Sequence, residues 1–123
     1  MLAQASKEAV RRRREARKDL LDRELGRMVR DISRCSGVQR VILFGSLARG
    51  ETGAHSDLDL AVIQETTASF AQRADAIYRK LAPRVATDIL VYTPGEWREL
   101  AANRSFARRI EREGKVLYDA QTA

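Results

Sequence analysis

Apolar residues recur in distinct patterns along the chain, and each predicts an element. Leu21, Leu25, Met28, Val29 and Ile32 recur at helical spacing, so the second half of an N-terminal helix should dock on a core, with Ser36-Gly37 ending it. The period then shortens. Val41-Ile42-Leu43-Phe44 is a compact β-branched run, and Gly45-Ser46 breaks it. From Ser56 the chain alternates, placing Asp57, Asp59, Ala61 and Ile63 on one strand face and Leu58, Leu60 and Val62 on the other. Ser69 with Gln72 marks a capped helix, with Phe70, Ala74, Ile77, Tyr78 and Leu81 as its apolar face and Pro83 as its stop. A third strand, 85–92, is apolar apart from Asp88, and a lone carboxylate in a central strand needs a reason. Thr93-Pro94-Gly95-Glu96 starts a further helix, and Asn103 is expected to cap another, with Phe106 and Ile110 inward and Gly114 at its end. Lys115 to Tyr118 reads as a last short strand. The pattern as a whole predicts an α/β (α+β) fold, a small mixed sheet flanked by helices.

The chemistry concentrates between Gly45 and Asp59. A strand rises roughly 3.3 Å per residue, so Asp57 and Asp59 begin their face about 6.6 Å apart. Two bare carboxylates on one face repel, which calls for a cation between them. Oxygen ligands suit Mg²⁺, with Mn²⁺ as an alternative, and no Cys/His set for zinc lies nearby. Gly45 lets backbone approach a phosphate, free N–H groups after it attract an anion, and the Ser46 hydroxyl adds a hydrogen bond. Residues 47–50 should form a helical turn that brings Arg49 to this cradle, where it brackets a triphosphate or pairs with Glu51. His55, the single histidine, reads as a solvated residue of the turn rather than as a general base.

Gly45-Ser46, ten intervening residues and Asp57-Leu58-Asp59 resemble the signature of the DNA polymerase β-like nucleotidyltransferases. Gly45 to Gly50 with Ser56-Asp57-Leu58-Asp59-Leu60 looks most like the minimal nucleotidyltransferases, the antitoxin halves of HEPN–MNT pairs, and the likeness runs from about Val38 to Asp119. The resemblance implies the nucleotidyltransferase fold, a third acidic residue at Asp88, two Mg²⁺ ions on Asp57, Asp59 and Asp88, and nucleotide contacts from Gly45, Ser46, Arg49 and Ser56. It also implies transfer of AMP from ATP, or of another nucleoside monophosphate from its triphosphate, to a hydroxyl of a HEPN-domain toxin. Two other readings stay open: a non-catalytic member that inhibits its partner by binding, and a nucleic-acid-binding module.

Charge bears on the last of these. The chain has 123 residues and a net charge of +6, and residues 1–34 hold eleven basic and six acidic side chains, or +5 of that total. Arg11-Arg12-Arg13-Arg14 could meet nucleic acid, but acidic residues interrupt the run, and a solvated helix or a surface for an acidic partner is preferred. The expected organisation is a basic helix over 1–36 and a nucleotidyltransferase core over 37–123, a single domain. The length leaves no room for a substrate-binding second domain, so the acceptor should come from outside. One cysteine, Cys35, no leader and no membrane-length apolar run lead us to expect a cytoplasmic protein.

Overall fold

A computed structural model describes residues 2–50, 57–103 and 105–122. Helix α1 (Leu2–Ser33) leads into β1 (Val38–Phe44), a four-residue α2 (Gly45–Ala48), β2 (Leu58–Gln64), α3 (Phe70–Leu81), β3 (Thr87–Tyr92), α4 (Pro94–Asn103), α5 (Ser105–Glu113) and β4 (Lys115–Asp119). The strands form one sheet in the order β3-β2-β1-β4. β1 runs antiparallel to β2 and β4, while β2 and β3 are parallel, so α3 serves as the crossover that a parallel pair requires.

Alternation along the strands sorts the two faces as expected. Val41, Leu43, Leu58, Leu60, Val62, Ile89 and Val91 join Leu21, Met28 and Ile32 of α1 and Ile77 and Leu81 of α3 in the larger core. Ile42, Ala61 and Ile63 face the other way and pack with Trp97, Ala107 and Ile110 of α4 and α5. The first half of α1 is helical as well, and its residues 10–20 are exposed. Buried Glu24 fixes the docked half: it pairs with Arg27 and accepts the Arg84 backbone N–H at 2.9 Å. Arg27 in turn donates to the Leu81 carbonyl at 2.9 Å. The hydrogen bonds from Arg27 hold the Glu24 carboxyl below the usual carboxylate range.

Local cap chemistry formed as read. Ser69 and Gln72 make a reciprocal capping box, and the Thr93 hydroxyl and Glu96 carboxylate exchange the same pair of bonds. Four expectations change. β3 is an edge strand, so Asp88 is exposed and carries no burial penalty. Phe70 and Tyr78 are 46% and 45% exposed, because α3 needs only Ile77, Leu81 and Ala74 to cover its strip of sheet. Phe106 is likewise exposed, and it makes a T-shaped contact with Phe44. Asn103 closes α4, donating to the Glu99 carbonyl, instead of starting α5.

Candidate active site

The site lies where β1 ends beside the beginnings of β2 and β3. Phe44, the last residue of β1, stands opposite Asp59. Gly45 then turns the chain into α2 with φ of +75°, in the left-handed region. A Cβ built on Gly45 would lie 2.3 Å from Asp59 Oδ2 and 3.1 Å from its Cγ. The glycine read from sequence as a phosphate cradle is therefore also the space that the Asp59 carboxylate fills. Ser46, half-buried, and exposed Arg49 follow on the same short turn.

Asp59 pairs with Asp88 across the parallel ladder. Paired residues of a ladder leave the sheet on the same side, and neighbouring strands are about 4.8 Å apart, so these two side chains start from neighbouring positions on one face. Asp57 lies just before β2. Its backbone N–H donates to the Ala86 carbonyl at 2.9 Å, and its Oδ2 accepts from the Ala86 N–H at 3.2 Å. Its Oδ1 is ion-paired with Arg17 of α1. A cation does neutralise the first aspartate, then, but it is a guanidinium. Among the described residues no three acidic, His or Cys side chains stand together as a ready metal group. The donors that do gather are all hard oxygens, a set that fits Mg²⁺ or Mn²⁺, with Asp57 one ion pair away from joining it. Ser56 and His55 lie outside the described residues.

A cavity of about 220 Å³ opens beside Gly45. Phe44, Ala48, Phe106 and Ile110 give it an apolar wall, with Arg49 and Arg109 also lining it. The Arg109 guanidinium hydrogen-bonds Glu113 at 3.1 Å and keeps that carboxyl below its ordinary range, with Arg112 and Arg49 adding to the effect. A second cavity, at Phe70, Tyr92 and Glu96, lies at the other end of β3 from Asp88, four residues or roughly 13 Å away. It takes no part in the site. Sequence reading missed Arg17 and the wall from α5. Arg17 had left a signal, since it precedes Leu21 by four residues and so shares the docking face of α1.

Residues 30–123 match the family model of the polymerase β nucleotidyltransferase domain. The chain belongs to that family. No curated protein matches it. Among solved structures, this nucleotidyltransferase is similar to a Sulfolobus solfataricus protein described as a candidate nucleotidyltransferase, at 18% identity and a TM-score of 0.52, covering 81% of this chain and 90% of that one. It is also similar to a toxin–antitoxin structure with AMP-PNP, at 22% identity and a TM-score of 0.51, covering 81% and 74%. At these identities the likeness is one of fold. Within that fold Gly45 adjoins Asp59, and Asp59 pairs with Asp88 in the parallel ladder. Among the described residues, no helix is long and apolar enough to cross a membrane.

Proposed function

We propose that this nucleotidyltransferase transfers AMP from ATP to a hydroxyl of a partner protein, a HEPN-domain toxin, and so acts as its antitoxin. The observation that carries the reading is Gly45 pressed against Asp59, with Asp88 beside Asp59 in the ladder. A carboxylate pair abutting a glycine turn suits a bound, charge-neutralised triphosphate. Asp57, Asp59 and Asp88 would hold the divalent cations, which would neutralise the triphosphate and acidify the acceptor hydroxyl. Gly45 and Ser46 bind the phosphates, and Arg49 brackets them with a fixed positive charge. The cavity beside Gly45 takes the nucleoside, its flat base lying against Phe106 and Phe44. Exposed Asp88 faces the acceptor and orients the attacking hydroxyl, so that positioning and charge supply most of the rate. AMP-PNP in a toxin–antitoxin structure of the same fold supports ATP as donor and a toxin as acceptor.

One observation favours a second reading. Asp57 is already engaged by Arg17, as it could be in a member that only binds its partner. A single experiment separates the two. The product of the adjacent reading frame is incubated with this chain, ATP and Mg²⁺, and its mass is measured. Transfer predicts a gain of one or more adenylate residues with wild type and none with Asp88→Ala, although that variant still binds ATP. No gain in mass, together with equal silencing by wild type and Asp88→Ala without ATP, would leave the binder as the answer.

A further inference from the structure

We infer that Arg17 is a latch on Asp57: it holds this carboxylate in the cation-free protein and competes with a divalent cation for its Oδ1. The inference rests on the metal-dependent reading above, in which Asp57 is a ligand. Three features converge on it. First, the two oxygens of Asp57 have different partners. Oδ2 is fixed by the Ala86 N–H, which leaves Oδ1 as the oxygen to face a cation, and that oxygen carries Arg17. Second, the latch is carried on a fixed frame. Arg17 lies one helical turn before buried Leu21, so it stands where the docked face of α1 runs past the core. That face is pinned by Glu24 to the Arg84 N–H, two residues from Ala86. The short segment before β3 thus anchors both the helix that brings Arg17 and the aspartate that Arg17 meets. Third, Arg17 falls outside residues 30–123, the part matched by the family model. The N-terminal helix adds this contact to a domain that the family model describes without it.

The Arg17 side chain is 55% exposed and Asp57 22%. A pair this open is weak and easily exchanged, which is what a displaceable latch requires. When the cation takes Oδ1, the guanidinium is released at the mouth of the site. By reciprocity, any anionic group that draws Arg17 away from Asp57 also raises cation affinity.

The test uses the full chain and Mn²⁺ alone, without nucleotide, with binding followed by the electron-spin signal of free Mn²⁺. Thermal melts check that Arg17→Gln remains folded, as an exposed helix position should. Arg17→Gln is expected to bind Mn²⁺ about two- to fivefold more tightly than wild type at low salt, the range of an exposed ion pair. Arg17→Lys, which keeps a charge, should fall between them, and high salt should shrink the gap by screening the pair. Equal affinity in wild type and Arg17→Gln would reduce the contact to an idle surface pair. Weaker binding in Arg17→Gln would make Arg17 a support for the ligand and overturn the competition. If none of the proteins binds Mn²⁺, the metal-dependent reading itself fails and takes the latch with it. Mn²⁺ binding by Arg17→Gln alone would be the latch in its strongest form.

Discussion

Replacing Gly45 with alanine perturbs the backbone and Asp59 together, and Gly50 separates the two effects. Both glycines have φ of +75°. Holding a residue with a Cβ in that region costs roughly 1–2 kcal/mol, which for a chain of this size lowers Tm by roughly 3–10 °C. At Gly50 no cost is added by a described neighbour, because among the described residues a Cβ would have nothing within 4 Å. At Gly45 the new methyl would sit 2.3 Å from Asp59 Oδ2, against the 3.4 Å where ordinary contact begins, so the carboxylate must retreat by the difference, 1.1 Å. A misplacement of about 1 Å in a catalytic constellation can cost on the order of a hundredfold in rate. Gly45→Ala and Gly50→Ala should therefore melt within a few degrees of each other. They should differ in function: Gly45→Ala loses about a hundredfold in kcat/KM for nucleotidyl transfer, and most of the Tm gain that Mg²⁺ with ATP gives wild type. Melting curves with and without the nucleotide, and initial rates of transfer, measure both. If the two variants lose activity equally, the contact with Asp59 has no bearing on the chemistry.

Other outcomes follow from single residues. Asp88→Ala, at an exposed edge position, should change stability by no more than about 0.5 kcal/mol while abolishing transfer, as melts and single-turnover assays would show. Met28→Ala removes a fully buried side chain from the seam between α1 and the sheet and should cost about 2–5 kcal/mol in urea unfolding. Glu24 has its folded-state pKa lowered by Arg27, so its contribution is present above its ordinary value of 4.5 and is lost as pH falls through the lower folded value. Stability measured by urea unfolding between pH 6 and 3, on the order of the usual titration range, should fall less steeply in Glu24→Gln than in wild type.

Much of this could be read from local patterns, because the forces behind it are local. Alternation from Leu58 to Ile63 assigned each apolar side chain to a face, and the Ser69/Gln72 and Thr93/Glu96 boxes closed within one turn. The glycine turn and the aspartates were legible as a spacing, and the structure adds that Gly45 touches Asp59. Strand order was not legible, since nothing within residues 85–92 states which strand lies beside it; that is why Asp88 read as central and proved to be on an edge. Phe70, Tyr78 and Phe106 looked like core by residue type, but a four-stranded sheet has too little area to cover them all. The hold on Asp57 was hidden for another reason. Arg17 comes from 40 residues upstream and Ala86 from 29 downstream, and only the docking of α1 and the β2–β3 ladder bring them to one carboxylate.

The central claim is nucleotidyl transfer at the α-phosphorus, and its most direct test is the fate of the label from ATP. Wild-type protein is incubated with its partner, Mg²⁺, and ATP labelled at either the α- or the γ-phosphate. The expected result is that α-label becomes covalently attached to the partner while γ-label leaves as pyrophosphate, and that Asp59→Asn does neither. Attachment of γ-label, or no attachment of either label with the partner still silenced, would contradict it.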